Sequence, residues 1–242
     1  MTDQWRLLDV QAVDTRLGQI AHRRRTLPQI AELAALEGRA TQLRDQVVGA
    51  QTLAGDLQRE LSKAEADVEL VRQRAARDQA RLEAGQGGHK ELGSLQHEIA
   101  TLQRRQSDLE DAELEVMERL EAATAELERL STEQASLQAQ VDDVTTARRT
   151  QEEELDAERE RLVQQRTGLV AGLDAPLLAL YEKVREATGG IGAAMLRARR
   201  CEGCRLELNP QDIQRIRAAA PDEVVRCEEC RRILVRTGES GL

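Results

Sequence analysis

Two long runs of apolar residues at alternating spacings of three and four flank one glycine-rich segment, and little else in this chain could override that pattern. Before the segment the spacing holds through Leu33, Leu36, Ala40, Leu43, Val47, Ala50, Ala54, Leu57, Leu61, Ala64, Val68, Val71, Ala75, Asp78 and Leu82. Only Asp78 in that series is polar. After it the spacing resumes at Leu95 and Ile99 and continues to Leu162 and Leu169, interrupted by Gln106, Glu113, Gln134, Arg148, Gln151, Glu158 and Gln165. Sustained apolar positions at a mean spacing of about 3.5 residues specify helices that pair along one seam. The segment between them, GQGGHKELG from Gly85 to Gly93, is short and contains four glycines. Two arms of one chain joined by so short a loop pair antiparallel.

The expected fold is therefore mostly α: a long antiparallel two-helix coiled-coil hairpin over residues 1–172 with its tip at 85–93. If the reversal is centred near residue 88, paired positions have numbers totalling about 176. Arms of about 80 residues extend for about 120 Å at a helical rise of about 1.5 Å per residue. In the first arm Leu27, Ile30, Leu33 and Leu36 follow one another by threes, a skip in the heptad, and Pro28 lies inside it. Proline removes a backbone donor and clashes with the preceding turn, so a kink or short break is expected near 25–29. The basic run Arg23, Arg24, Arg25 lies at the level of Glu152, Glu153 and Glu154 and reads as a solvated, charge-balanced face, with a phosphate-binding patch as the alternative.

Composition agrees with a helical hairpin. A third of the residues are charged, there is no Phe, and there is one Trp and one Tyr, which is poor material for a large globular core. The net charge of −9 argues against a general nucleic-acid coat. Residues 191–242, however, carry ten Arg against eight acidic residues. The start of the chain, MTDQWRLLDV, is polar, and the apolar runs are too short to span a bilayer, so a cytoplasmic chain without membrane contact is expected.

The hairpin pattern stops at Gly172, Asp174 and Pro176. A connecting helix over 173–188 follows, with Leu177, Leu180, Tyr181 and Val184 on one face. Trp5 and Tyr181 both map to the base of the hairpin and are expected to pack together as a small joint.

The last segment, 189–242, carries the chemistry. All four cysteines fall in two CxxC pairs, Cys201 with Cys204 and Cys227 with Cys230. Two intervening residues let one tight turn bring both sulfurs to one ion, and two such knuckles complete a tetrahedron. Four soft thiolates suit one structural Zn²⁺ and leave no open position for water. An iron–sulfur centre is the competing use of four thiolates. Disulfides are unexpected without a secretory signal, and a thioredoxin-like site needs a βαβ context that is missing. Strands are expected at 193–200, 224–226 and 232–235. A short helix is expected from Asn209 as N-cap and Pro210 as first residue, with Ile213 and Ile216 facing inward.

Other residue types offer no chemistry of comparable specificity. Arg197, Arg199, Arg200, Arg205, Arg215, Arg217, Arg226, Arg231, Arg232 and Arg236 crowd around the metal pairs and form a candidate nucleic-acid surface. A four-thiolate zinc centre carries −2 and offsets the local excess of +2, and no aromatic residue is available to stack bases. His89, Lys90 and Glu91 at the tip form a candidate partner-binding surface, with simple chain reversal as the alternative.

The segments KELGSLQHEI (Lys90 to Ile99), LLALYEKVR (Leu177 to Arg185), CEGC with Leu206 and Leu208 after it, and VVRCEECRRILV (Val224 to Val235) carry a resemblance over the whole length. The chain resembles the bacterial coiled-coil hairpin proteins with a C-terminal C4-type zinc ribbon, the zinc-ribbon domain-containing family. Cys201, Cys204, Cys227 and Cys230 match the family's zinc ligands. Arg231 stands where the family often has glycine, and Arg205 where it often has histidine. The resemblance implies non-enzymatic adaptors or chaperones, with protein partners in transcription or secretion machinery and links to DNA or RNA. The expected function is an adaptor whose ribbon contacts nucleic acid or transcription machinery while the coiled coil recruits a second partner. A purely protein-binding scaffold or chaperone is the alternative, and a monomer or weak dimer is expected in either case. Catalysis is not expected, because no nucleophile, general base or open metal position is apparent.

Overall fold

The computed structural model describes residues 3–85 and 87–242, with the side chain of Asp3 left aside. Gln86, inside the expected tip, lies outside the described residues. After a 3₁₀ turn at Asp3–Trp5 come α1 (Arg6–Arg25), α2 (Pro28–Glu83), α3 (His89–Val170) and α4 (Ala175–Ala187). The C-terminal region holds β1 (Ala193–Arg197), β2 (Arg200–Cys201), α5 (Pro210–Ala218), β3 (Val225–Arg226) and β4 (Ile233–Val235). The chain forms two compact units, residues 32–144, and residues 1–31 together with 145–242.

The unit 32–144 is the helical hairpin proper. From Leu33 to Leu82, every residue of the 3,4 series is buried or half-buried, including Asp78. From Leu95 to Val144 the return series is likewise withdrawn from solvent. Leu36 and Leu43 pack with Leu130 and Leu137, joined by Ala40, Val47, Ala50, Val141 and Val144. Long side chains flank the seam in cross-arm ion pairs: Arg74 with Glu98, Arg72 with Glu110 at 3.3 Å, and Arg119 with Glu60 at 3.4 Å. The numbers of these pairs total between 172 (Arg74 with Glu98) and 182 (Arg72 with Glu110), so the fold-back lies where the glycines put it. At the tip, Gly85 and Gly87 take φ of 60° and 135°, backbone that side chains resist. Gly88 donates its N–H to Glu91 Oε2 at 2.8 Å, and Glu91 N–H returns to Gly88 O, so Glu91 works as the reciprocal cap of α3.

In the other unit, α1 ends at Arg25 and α2 begins at Pro28, whose missing N–H costs nothing at a first helical position. Thr26 closes α1 by donating both its N–H and its Oγ1–H to His22 O. Ile20, Leu27 and Leu155 pack together with Leu162 across this break. Along the last stretch of α3 the 3,4 pattern is less faithful. Leu155 is buried, but Gln151 and Gln165, which the spacing assigns to the seam, are exposed.

The ribbon is a four-stranded sheet in the order β2-β1-β4-β3, with β1 and β4 parallel and the outer pairs antiparallel. Alternation along β1 and β4 gives the sheet two buried faces. Ala193, Ile233 and Val235 face Leu7, Val10, Leu177, Tyr181 and Val184 of α1 and α4. Ala194, Leu196 and Leu234 face Ile213 and Ile216 of α5 together with Cys201 and Cys227. The single strand expected at 193–200 is two strands, because Ala198 and Arg199 turn with φ of 44° and 64°. Paired positive φ values make a two-residue hairpin whose twist matches its strands. The C-terminal segment holds that turn, accepting from Ala198 N–H at Glu239 O and from Arg199 N–H at Ser240 O. Asn209 caps α5 by accepting from Asp212 N–H at 2.8 Å.

The expected packing of Trp5 on Tyr181 is not what the structure shows. Tyr181 is fully buried, whereas Trp5 is 58% exposed with the Arg6 guanidinium 6.0 Å from its ring centroid. The joint is aliphatic on the side of α1, where Leu7 and Val10 occupy the inward positions. Gly192 lets the sheet approach closely, since a Cβ there would lie 2.8 Å from the Tyr181 ring.

Candidate metal centre

The first CxxC knuckle hangs from the end of β2 and the second follows β3. In each, the N–H after the second cysteine turns back to the first cysteine's carbonyl: Arg205 to Cys201 O at 2.7 Å and Arg231 to Cys227 O at 2.8 Å. That closure puts both arginines at φ 63°, the left-handed conformation that glycine adopts without cost. The four sulfurs lie within 4.8 Å of one another. Cys201 Sγ is 3.8 Å from Cys230 Sγ, and Cys204 Sγ is 3.9 Å from Cys227 Sγ. Four sulfurs at about 2.3 Å from one zinc stand about 3.8 Å apart at the corners of a tetrahedron. The donor set therefore fits one Zn²⁺ in both chemistry and spacing, with its coordination filled by protein.

Burial raises the Cys201 and Cys227 thiols above their usual range, so without a cation these buried groups stay protonated. Burial also pushes Cys230 up, but hydrogen bonds from the Arg232 backbone and side chain and from Cys227 and Cys204 outweigh it and bring the thiol down to about 7. Among the described residues, these four cysteines are the only group of His, Cys, Asp and Glu side chains placed to share a metal ion.

The arginines around the centre separate into three kinds. Arg232 and Arg236 are structural. Arg232 donates to Ile191 O and Thr188 O, and Arg236 donates to Ile216 O in the last turn of α5, Ala219 O at its cap, and Ala220 O and Glu223 O in the segment that follows. Arg197, Arg215 and Arg231 meet carboxylates, respectively Glu239 at 3.0 Å, Glu228 at 2.7 Å and Glu228 at 3.0 Å. Arg226 donates to Arg231 O. Arg199, Arg200, Arg205 and Arg217 are exposed and form no ion pair among the described residues, and of these Arg199 donates to Gly241 O at 3.0 Å. Arg199 and Arg217 line one cleft with Glu207, Leu208, Ile213 and Gln214. His89 and Lys90 are exposed at the start of α3, while Glu91 is occupied in capping.

A polar cluster that the sequence reading did not single out ties α1, α3, α4 and β1 together. Asp14, with 2% of its side chain exposed, accepts from Arg166 at 2.6 Å and from the Tyr181 hydroxyl at 2.7 Å, and Arg185 is 3.5 Å away. Glu182 binds both Arg166 and Arg185. Gln11 accepts from Gly192 N–H at 2.6 Å and donates to Gly190 O at 3.0 Å. The hydrogen bond to Asp14 raises the Arg166 pKa against the opposing effect of burial. Burial, then the hydrogen bond to Asp14, raises that of Tyr181. The available signal was a pair of opposite charges, Asp14 and Arg166, at positions whose numbers total 180, close to the pairing rule.

The fold and the four-sulfur centre together define a helical hairpin protein with a structural C4 zinc ribbon. Residues 10–189 match the CT398-like coiled coil hairpin domain family, and residues 200–234 match the C4-type zinc ribbon domain family. The chain belongs to the CT398-like coiled coil hairpin family. It is 40% identical to the Rv2229c protein of Mycobacterium tuberculosis over 239 residues, covering 98% of this chain and 96% of that one. A solved structure from Mycobacterium smegmatis is 40% identical with a TM-score of 0.84, covering 97% of both chains. The structure of CT398 from Chlamydia trachomatis shares the fold at a TM-score of 0.67 and 20% identity, again over 97% of both chains. No helix among the described residues is long and apolar enough to cross a membrane.

Proposed function

We propose that this protein is a non-enzymatic adaptor, in which the zinc ribbon contacts nucleic acid or transcription machinery and the helical hairpin recruits a second, protein partner. The observation that carries the reading is the spacing of the four sulfurs, which fills a zinc coordination sphere and leaves no position for substrate or activated water. What the ribbon then offers is its surface. Arg199 and Arg217 line one cleft there together with Glu207, and neither forms an ion pair among the described residues; Arg199 donates one N–H to Gly241 O and keeps its others for phosphate oxygens. Electrophoretic shift of the zinc-loaded protein with DNA and with RNA, at several salt concentrations, tests the ribbon half. Binding that weakens with salt and is lost in Arg199→Glu with Arg217→Glu supports it.

A purely protein-binding scaffold is the second reading, and the fate of the other arginines favours it. Seven of the ten arginines of the candidate nucleic-acid surface are engaged by carbonyls or carboxylates: Arg199, Arg226, Arg232, Arg236, Arg197, Arg215 and Arg231. Absence of any shift at low salt decides for the scaffold.

A further inference from the structure

We infer that the middle of the hairpin, around Leu114 and Met117 of α3, is a docking surface for a basic amphipathic helix of a partner protein. Leu114 is 57% and Met117 46% exposed, and they are the two large apolar side chains left open on α3 between His89 and Val144 among the described residues. They do not belong to the seam, whose local positions Glu113, Val116 and Leu120 face the other arm. Three positions apart, they share one side of the helix and continue inward to Leu61 and Leu120. Together these form an apolar groove of about 330 Å³ with Glu118 and Glu121 at its edge.

Charge identifies the occupant. From Asp108 to Glu121 the chain carries seven carboxylates against one arginine. Arg119 is drawn to Glu60, and Glu110 to Arg72, whereas Asp111, Glu115, Glu118 and Glu121 meet no basic side chain among the described residues. An apolar strip bordered by unneutralised carboxylates repels a second copy of itself. It attracts a helix with Leu-like residues on one face and Lys or Arg beside them, the helix-in-groove mode of recognition. Methionine and leucine suit such a surface, because Met adapts its shape to the incoming side chains. This inference rests on the adaptor reading and gives the hairpin's partner a chemical class.

The test uses the full zinc-loaded chain and three labelled synthetic peptides of about 18 residues, long enough for about five helical turns. One is a Lys/Leu amphipathic helix, one its Glu/Leu counterpart, and one a scramble of the first with no apolar face. Fluorescence anisotropy is expected to show binding of the first alone, weakening as salt rises. Leu114→Ser with Met117→Ser is expected to lower its affinity roughly tenfold or more, as removal of central anchors does. Glu118→Lys with Glu121→Lys is expected to weaken it as well. Arg199→Glu with Arg217→Glu on the ribbon is expected to leave it unchanged. Circular dichroism of each variant checks that the helices persist.

Binding of the scramble as tightly as the helix, indifference to Leu114→Ser with Met117→Ser, or no binding at low salt each overturns the proposal. So does a dimer, seen by sedimentation, that the Leu114 and Met117 changes abolish, since the groove then belongs to a second copy. Failure here with nucleic-acid shift intact removes this surface alone. Loss of both removes the adaptor reading.

Discussion

The only tyrosine of the chain, Tyr181, donates its hydroxyl to Asp14 Oδ2 at 2.7 Å inside a fully enclosed site. The same carboxylate holds Arg166, so a residue of α1 fixes both the end of α3 and the connecting helix α4. Replacing Asp14 with alanine leaves the Tyr181 hydroxyl with only the longer contact to Gln11 Oε1 at 3.1 Å and leaves two partly enclosed guanidinium groups sharing Glu182 alone. A loss of about 3–5 kcal/mol is expected in denaturant unfolding, the usual cost of removing one side of a buried ion pair. Tyr181→Phe removes the hydrogen bond to the Asp14 carboxylate along with the longer contact to Gln11 Oε1 at 3.1 Å, and is expected to cost about 1.5–3 kcal/mol.

The same hydroxyl has a pH signature. Burial, then the Asp14 carboxylate, raises the Tyr181 pKa above its ordinary value of about 10. A folded-state pKa above the unfolded one stabilises the fold fully below the unfolded pKa. That contribution is lost as pH rises from about 10 toward the folded value, because only the unfolded chain releases the proton there. Phenolate absorbance should therefore appear together with unfolding rather than before it. The Tyr181→Phe variant should lose less stability than the parent over the same alkaline range. Phenolate formation in a fully folded chain would contradict the assignment.

Metal removal should separate the parts of the molecule. Few elements of the ribbon are long, and its core around Leu196, Ile216 and Leu234 is completed by two of the cysteines themselves. Structural zinc supplies folding free energy on the order of 10 kcal/mol in small modules. A strong chelator, or Cys201→Ser, is expected to abolish hydrogen-exchange protection in the strands and α5. It should leave most of the far-ultraviolet helical signal, which comes from α1 to α4. Metal analysis should return one zinc per chain, and retention should weaken as pH falls, since protons compete for the thiolates.

Sequence periodicity located the seam residue by residue over 33–82 because burial in a two-helix pair depends on position in the turn and on little else. The cysteine spacing was equally legible, since one ion leaves few ways to arrange two knuckles. The arginines were not. Arg236 serves the carbonyls at the end of α5, and nothing in its local sequence distinguishes it from Arg217, which is exposed. Side chains that act across long separations, such as Gln11 on Gly192 N–H, depend on tertiary placement that spacing does not encode. Trp5 misled for the opposite reason: an aromatic residue near a joint suggests packing, yet Leu7 and Val10 already fill the inward positions.

Arg205 and Arg231 both sit at φ 63°, where a residue with a Cβ is disfavoured by roughly 1–2 kcal/mol. Glycine at either place removes that strain but loosens the unfolded chain, which offsets part of the gain. Arg205 has no ion pair among the described residues, whereas Arg231 meets Glu228 at 3.0 Å in an exposed contact of small value. Arg205→Gly is therefore expected to stabilise the ribbon by up to about 1 kcal/mol, and Arg231→Gly by less. Denaturant unfolding at a fixed excess of zinc reads the difference. Destabilisation by Arg205→Gly would mean that its side chain makes a contribution outweighing the backbone term.

Asp78 is the one polar residue in the first arm's seam, and it is 8% exposed. Its nearest cations are Arg81 at 3.7 Å and Arg74 at 4.0 Å, loose contacts, and Arg74 is shared with Glu98. A buried carboxylate held this weakly costs stability relative to an apolar side chain, and in coiled coils such a residue serves to fix register. Here the short tip already sets the register, because Gly85 to Gly93 lets the arms meet in only one alignment. Asp78→Leu is therefore expected to stabilise the hairpin by about 1–4 kcal/mol without changing the pairing, the range seen when well-packed apolar residues replace buried charges. Thermal unfolding reads the first effect, and disulfide trapping between cysteines placed at positions 74 and 98 reads the second. A variant that is no more stable, or whose engineered disulfide fails to close, would show that Asp78 holds the arms in register near the tip.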